Sequence, residues 1–277
     1  MRGIRCLLAA VLAAGIVTVV AAQPGRQMGG FGGGQDTVFL VLNNKALQEE
    51  VKITDEQKSK FKSISEKQME MGKKAMEGMK DKFSEAKGDK DKMKEVFEEM
   101  QKETSKNSAE VRKLLDAELT SDQKKRLHQI SIQVMGVDAF ADPDAKTAGG
   151  FGGGRGGFGG FGGGFTETQK GIIKEVADTL KLTDGQKSKI KSALNEYTKD
   201  RDAIRKDIFG DAKGGKGNFD QEKMKEFATK SGKISSETMD KISEALDDTQ
   251  KTAWKGLVGA PFDTSKLRPT GPGPKKD

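Results

Sequence analysis

Apolar residues recur every three or four positions over long, otherwise charged stretches of this chain. This period places them along one face of an α-helix, and strong helix formers fill the positions between them. One apolar stripe precedes a turn at 86–91 and another follows it, which predicts an antiparallel helical hairpin. The two stripes are Phe61, Ile64, Gln68, Met71, Ala75, Met79 and Phe83, then Met93, Val96, Met100, Thr104, Asn107, Val111 and Leu114.

A second pair of stripes flanks the glycine-rich turn at 210–218 and predicts a second hairpin. The stripes hold only about two apolar residues per heptad. The whole chain is 34% hydrophobic and 33% charged, so we expect thin structures with a small buried area. The second pair of stripes is Ile190, Leu194, Tyr197, Arg201, Ile204 and Ile208, then Met224, Phe227, Ser231, Ile234, Thr238, Ile242 and Ala245.

The two predicted hairpins belong to a repeated unit. KITDEQKSKFKS at 52–63 matches KLTDGQKSKIKS at 181–192. About 65 residues later each copy has a second related stretch, LTSDQKKRL from Leu119 and LDDTQKTAW from Leu246. Four copies of one short pattern at the same internal spacing indicate a duplication, with each half a hairpin flanked by shorter helices.

The short pattern has the chemistry of a helix start. Thr54 is placed to accept from the backbone N–H of Gln57, whose side chain can return to the Thr54 N–H as a capping box. The aliphatic residue before each cap has no apolar partner at the fourth helical position, so we expect it to pack onto a neighbouring helix. The motif residues are Ile53, Thr54, Gln57, Leu119, Thr120, Gln123, Leu182, Thr183, Gln186, Leu246, Asp247 and Gln250.

Paired L-T-x-x-Q stretches in a small helical unit resemble the LTxxQ-motif family of envelope proteins, which includes Spy- and CpxP-like periplasmic proteins. Each half of the chain resembles one such unit. The resemblance implies bent helical hairpins that form a cradle, and ATP-independent binding of unfolded proteins under envelope stress. Ile53, Asp247, the tandem fusion and the glycine tracts depart from the family pattern. The fusion leaves two alternatives, pairing of the two halves with each other or a homodimer.

Segments of distinct composition separate the predicted units. A basic start, an apolar run and small residues before Gln23 predict a secretory signal peptide that leaves no stable membrane insertion after cleavage, with an uncleaved anchor as the alternative. The glycine- and phenylalanine-rich tracts predict unstructured segments, with self-association through phenylalanine as the alternative. The predicted organisation is signal peptide 1–22, disordered segment 23–35, unit 1 at 36–148, linker 149–165, unit 2 at 166–263 and disordered basic tail 264–277.

The composition of the chain limits the cellular compartments and the classes of partner that we expect. Cys6 is the only cysteine and would leave with the signal peptide, so the mature chain has no disulfide, which is compatible with a secreted or periplasmic protein. The net charge is +7, but lysines and acidic residues are interleaved. This pattern does not predict the clustered basic face of a nucleic-acid-binding protein.

Few residues suggest other chemistry. His128 is the only histidine, so we expect a surface helix residue and neither a zinc site nor a catalytic triad. The methionines Met69, Met71, Met76 and Met79 fit either apolar surface or, as an alternative, copper(I) ligands. Trp254 is predicted to be a packing residue. We expect no enzyme activity and no cofactor.

The function expected from the sequence is binding of unfolded or partly folded envelope proteins by weak, adaptable apolar contacts. The alternatives are a self-associating structural protein of the envelope and a metal- or stress-responsive regulatory partner. The residues expected to contribute apolar binding surface, some of them also internal packing, are Phe61, Ile64, Met71, Met79, Met93, Phe97, Ile190, Ile204 and Phe227.

Overall fold

The computed structural model describes residues 37–144, 165–210 and 221–267. Every regular element in these ranges is an α-helix or a 3-10 segment, which confirms the predicted all-α class. None of the described helices combines the length and the apolar character needed to cross a membrane. The α-helices are α1 (Thr37–Leu40), α2 (Lys45–Glu50), α3 (Asp55–Glu85), α4 (Lys90–Glu118), α5 (Ser121–Met135), α6 (Glu167–Leu180), α7 (Asp184–Phe209), α8 (Gln221–Ala245) and α9 (Asp248–Val258).

Several predicted segments lie outside the described residues. They are the signal peptide 1–22, the segment 23–35, all but the last residue of the linker 149–165, residues 211–218 of the second turn and residues 268–277 of the predicted tail. We refer to residues 37–144 as the first half and to residues 165–267 as the second half.

Hairpin 1 consists of α3 and α4, which pack against each other. The turn predicted at 86–91 lies between them, and Gly88 adopts a φ of +92°, a conformation that glycine reaches without steric cost. Asp89 then starts α4, because its Oδ1 atom accepts from the backbone N–H groups of Asp91 and Lys92. Hairpin 2 consists of α7 and α8, which pack in the same way.

An apolar cluster, core 1, lies at the base of hairpin 1, where α3 and α4 meet α1, α2 and α5. All but one of its buried residues come from the first half, and the exception is Phe262. The buried members are Val38, Val41, Leu42, Leu47, Val51, Ile53, Phe61, Ile64, Val111, Leu115, Leu119, Leu127, Ile130 and Phe262.

A second cluster, core 2, lies at the base of hairpin 2 against α6. It also borrows from the other half, since three of its buried residues precede the linker. The buried members are Ile132, Val137, Ala139, Ile172, Val176, Leu180, Ile190, Tyr197, Ile242 and Leu246.

Apart from Ile132, which lies in α5, the borrowed residues belong to short tails that the two halves exchange. Tail 1 is the 3-10 segment Gly136–Phe140, which follows α5 and packs against α6 and α8 of the second half. Tail 2, residues 259–267, follows α9, and its 3-10 turn packs against α2 and α5 of the first half. Each half therefore completes the apolar core of the other within one chain.

Tail 2 corrects one prediction. The sequence predicts disorder from residue 264, whereas Thr264–Leu267 form a 3-10 turn. Leu267 packs against core 1, and the carbonyl of Lys266 accepts a hydrogen bond of 2.8 Å from Nδ2 of Asn44. Long-range contacts with the first half therefore order a segment whose own composition does not favour structure.

Gln133 on α5 fixes the path of tail 2. Its Nε2 atom donates to the carbonyls of Val258 at 2.6 Å and Ala260 at 2.8 Å, and its Oε1 atom accepts from the backbone N–H of Phe262 at 2.8 Å. One side chain of the first half thus satisfies backbone groups at the end of α9, where the helix itself leaves carbonyls without partners.

Each hairpin also has a small apolar contact near its tip. In hairpin 1, Met79, Ala86 and Val96 are buried together, and Phe83 contacts Phe97 with ring centroids 5.5 Å apart. In hairpin 2, the rings of Phe209 and Phe227 are 5.6 Å apart. The tip cluster of hairpin 1 is separate from core 1. The stretches of α3 and α4 between the two clusters are more polar than either cluster.

We predict that Gly259→Ala destabilises the protein by about 1–3 kcal/mol. Gly259 has a φ of +63°, which an alanine adopts only with strain, and a Cβ atom there would collide with the side-chain amide of Gln129. Gly185→Ala is the control, since its Cβ would lie in open space within α7. The control should stabilise by about 0.4–1 kcal/mol, and equal effects in urea denaturation would contradict the proposed strain.

Candidate functional site

The four repeated motifs start four helices, as the sequence predicts. In α3, Thr54 Oγ1 accepts from the backbone N–H of Gln57 at 3.2 Å, and Gln57 Oε1 accepts from the Thr54 N–H at 3.1 Å. The same reciprocal capping box begins α5, α7 and α9. The capping role is therefore confirmed at all four positions, including the one where Asp247 replaces threonine.

A fifth capping box begins α6 and was not predicted. Thr166 Oγ1 accepts from the backbone N–H of Gln169 at 3.3 Å, and Gln169 Oε1 accepts from the Thr166 N–H at 2.9 Å. The signal was the T-E-T-Q sequence at 166–169, which stands directly beside the glycine-rich linker and lacks the aliphatic residue of the other copies.

The glutamines of the first half do more than cap their own helices. Gln57 Nε2 donates to Gln123 Oε1 at 2.9 Å, and Gln123 Nε2 donates to Gln57 Oε1 at 3.0 Å. The two amide nitrogens also donate to backbone carbonyls, at 2.7 Å to Glu118 and at 3.4 Å to Lys52. We call this reciprocal arrangement a glutamine pair, and it joins the starts of α3 and α5 to the ends of α2 and α4.

The second half contains the same arrangement. Gln186 Nε2 donates to Gln250 Oε1 at 2.6 Å, and Gln250 Nε2 donates to Gln186 Oε1 at 3.1 Å. The remaining donors reach the carbonyls of Ala245 and Leu180, both at 2.9 Å and both at helix ends. Each amide thus uses both donors, while its oxygen accepts at least twice, which leaves no hydrogen-bonding group of these amides without a partner.

The aliphatic residues that precede the caps pack as predicted. Ile53 and Leu119 are buried in core 1, and Leu246 is buried in core 2. Leu182 is half-buried against core 2. The repeated motif therefore combines a cap, a glutamine pair and an apolar anchor at the base of each hairpin.

The structure corrects part of the predicted binding surface. Phe61, Ile64, Met79 and Ile190 are only 1–7% exposed, so their role is internal packing and they offer no accessible surface. They lie on the side of each helix that faces its hairpin partner. The remaining predicted residues are half-buried and reach the surface, namely Met71, Met93, Phe97, Ile204 and Phe227.

The methionine-rich stretch of α3 contains side chains in very different surroundings. Met69 and Met76 are 66% and 71% exposed, whereas Met79 is buried at the hairpin tip. Met69 and Met76 lie two helical turns apart, about 10 Å along the axis. Copper(I) binding by these methionines therefore stays a prediction.

His128 and Trp254 both contact the opposite half. His128 Nε2 lies 2.6 Å from Glu175 Oε2 of α6, and the imidazole is partly exposed. The Trp254 ring packs on Phe140 of tail 1, with centroids 4.7 Å apart, as expected for a packing residue. Across residues 37–144, 165–210 and 221–267, no group of three or more His, Cys, Asp or Glu is placed to hold a metal ion.

Tail 1 carries a carboxylate into hairpin 2. Asp138 lies between the buried Val137 and Ala139, and burial raises the pKa of its carboxyl group above the usual 3.8, although the charge of Arg201 opposes this shift. Burial likewise raises the pKa of Tyr197, which hydrogen-bonds with Arg201 and Ser235. Tail 1 therefore contacts a polar group of hairpin 2 as well as core 2.

We predict that Asp138→Asn changes the pH dependence of stability. Because its pKa is raised on folding, the folded state binds the Asp138 proton more tightly, and stability falls as pH rises from 3.8 through the raised value. Asp138→Asn should lack this decline in stability. The decline amounts to about 1.4 kcal/mol for each pH unit between 3.8 and the raised pKa. Urea denaturation across this range measures it. The control is Asp200→Asn, an exposed residue of α7, and a profile unchanged in Asp138→Asn would contradict the prediction.

We predict that Gln123→Glu destabilises the protein by about 2–5 kcal/mol. The new carboxylate cannot donate to Gln57 Oε1 or to the Lys52 carbonyl. Its oxygen would instead lie against these two acceptor oxygens, which repel it. Gln169→Glu is the matched control, since a glutamate also completes a capping box and no pairing with a second glutamine is observed at Gln169. Urea denaturation followed by Trp254 fluorescence should show a large loss for Gln123→Glu only. Equal losses would mean that the glutamine pair adds nothing beyond capping.

Neither protein-family models nor curated proteins nor solved structures gave a match to this chain. The functional interpretation therefore rests on the residues and contacts of the chain itself.

Proposed function

We propose that this protein binds unfolded or exposed segments of envelope proteins without ATP, as a chaperone of the periplasm or another secreted compartment. The observation that carries the proposal is the graded exposure of apolar side chains along the hairpins. Met69 and Met76 are mostly exposed, and Phe97, Ile204 and Phe227 are half-buried, although all five lie on helices that are otherwise charged.

The hairpins are narrow enough for their apolar residues to serve both packing and binding. Two helices side by side bury one stripe each, so the residues at the edges of the stripe stay partly in contact with water. Methionine and phenylalanine in such positions adapt to apolar partners of different shape, since the methionine side chain is unbranched and polarisable. This arrangement suits weak binding of many sequences better than tight binding of one.

The charges around these side chains are largely compensated at close range. Lys67 binds Glu110 across hairpin 1, and its hydrogen bond and charge lower the pKa of that carboxyl group. Lys241 binds Glu196 across hairpin 2 at 2.7 Å, and this hydrogen bond raises the pKa of the lysine. Ion pairs of this exposed kind contribute little to stability, but they keep the surface soluble around the apolar positions.

The proposed compartment is supported by the sequence, and the proposed independence of ATP is what the family resemblance implies. The N-terminal stretch has the composition of a secretory signal peptide. The glycine tracts carry no G-K-[ST] sequence of the kind that binds nucleotide phosphates. The resemblance of the repeated motif to the LTxxQ family supports the same function.

We predict that the mature protein suppresses aggregation of a chemically denatured client diluted into buffer, at stoichiometric amounts and without ATP. Light scattering measures the effect, and serum albumin at equal mass is the control for nonspecific protection. Added ATP should change nothing. Scattering that equals the albumin control at a stoichiometric excess of the protein would overturn the proposed function.

A further inference from the structure

A row of polar side chains on α5 contacts the end of α9. Arg126, Gln129 and Gln133 are three and four positions apart, and therefore lie on one face of the helix. Gln129 Nε2 donates to the carbonyl of Gly256 at 3.2 Å, and Arg126 Nη1 donates to that of Ala260 at 2.8 Å. With the hydrogen bonds of Gln133 described above, these three side chains form one hydrogen-bonding surface, which we call the α5 row.

The carbonyls that the α5 row binds are available because α9 stops there. An α-helix leaves its last four carbonyls without partners inside the helix, and α9 ends at Val258. The carbonyls of Gly256 and Val258 belong to this last turn, and both accept from the row. The positive charge of Arg126 also suits a helix C-terminus, and Glu50 of α2 accepts from its Nε atom at 2.8 Å.

The repeat shows that this contact has a direction. Alignment of Leu119 with Leu246 puts small residues of the second half at the positions of the α5 row. The side chains of these small residues have no hydrogen-bonding group, so the second half carries no equivalent row. The aligned pairs are Arg126 with Ala253, Gln129 with Gly256, and Gln133 with Ala260.

The first half also lacks the matching helix end. Val258, the last residue of α9, aligns with Ser131, but α5 continues about one turn further and ends at Met135. The carbonyls of Gln129 and Ser131 therefore lie inside a helix, where they accept from its own backbone N–H groups. A second copy of α5 would not offer the row the carbonyls that α9 offers.

Gly259 adds a steric condition. A Cβ atom at this position would lie 2.3 Å from Oε1 of Gln129, so any side chain here displaces the amide that binds Gly256. The aligned residue of the first half is Ile132, whose side chain is fully buried in core 2. The close approach of the row is thus possible against the second half and not against another first half.

We infer that the α5 row recognises the end of α9 and rejects a second copy of the first half, so that each chain pairs its own two halves. Specificity of this kind is a difference between two affinities. The correct pairing satisfies the helix end, whereas a homotypic pairing leaves the polar groups of the row without partners, which is costly on burial. The tether adds a high effective concentration of one half near the other. This inference is independent of the proposed binding of unfolded proteins.

Removal of the row tests recognition in the full mature protein. Q129A with Q133A keeps good helix formers in α5. The Lys266 N–H, which donates within tail 2 to the carbonyl of Asp263 and not to the row, should then exchange hydrogen about tenfold faster or more. Exchange is measured by NMR. Gln101→Ala, at an exposed glutamine of α4, is the matched control and should leave the rate unchanged. An equal rate in the double variant and the control would contradict the inference.

Transfer of the row tests the direction of the contact. G256Q and A260Q, added to Q129A and Q133A, place the glutamines at the aligned positions of the second half. The urea midpoint should stay at or below the lowered value of Q129A with Q133A, because α5 has no helix end there to bind. Recovery of the wild-type midpoint would show that the contact has no direction and would refute the inference.

Sedimentation equilibrium tests the rejection of a second copy. The wild-type protein should be a monomer across the micromolar range. Gly259→Ala should also be a monomer, although its own α9 fits the row less well while the row itself is intact. Circular dichroism checks that the variant is folded. A dimer of either protein that dissociates when Q129A and Q133A are added would mean that the row accepts a second copy, and the inference would be wrong.

Discussion

The hydrogen-bonded pair of glutamine amides at the base of each hairpin is the interaction on which the rest of this structure depends. It brings two helix starts and two helix ends to one point, with every amide donor and acceptor used. Gln123 and Gln250 are each only 8% exposed, so a mismatched group there would lose its hydrogen bonds without regaining water. This protein has little apolar area to bury, so packing alone would leave several helix–helix registers close in energy. The glutamine pair selects one of these registers.

The exchanged tails account for the way in which the halves meet. Phe262 enters core 1 and Val137 enters core 2, so neither core is complete without the other half. Gln133 also fixes the path of tail 2. Its side chain donates to the carbonyl of Val258 at the end of α9 and accepts from the backbone N–H of Phe262. Asp138 introduces a cost, since its burial disfavours the ionised carboxylate. The position of tail 1 is thus a compromise between apolar burial and the desolvation of one acid.

Local features of the fold could be predicted from the sequence. The helices, the turn after α3 and the caps at Thr54 and Asp247 follow from period and composition, which act over a few residues. The pairing of Gln57 with Gln123 could not be predicted, because a capping role alone explains each glutamine. One feature of the sequence pointed to this pairing. Gln250 is present in the fourth motif although the capping residue there is Asp247 and not threonine.

Exposure was harder to predict than secondary structure. Met71 and Met69 are two residues apart, yet one packs against core 1 and the other is mostly exposed. The difference depends on where the partner helix lies, which the period of the stripe gives only to within a fraction of a turn. The place of Phe262 in core 1 could not be predicted, since it depends on contacts with a half that is remote in the sequence.

The tail exchange also changes the role of the covalent linker. Complementary surfaces set the position of the two halves, so that position does not depend on a geometry imposed by the predicted linker 149–165. Its length then governs the effective concentration at which one half meets the other, and this falls only slowly, roughly as the −3/2 power of length. We therefore expect a change in linker length to alter how readily the two halves meet, and to leave the contacts of tails 1 and 2 with the cores unchanged.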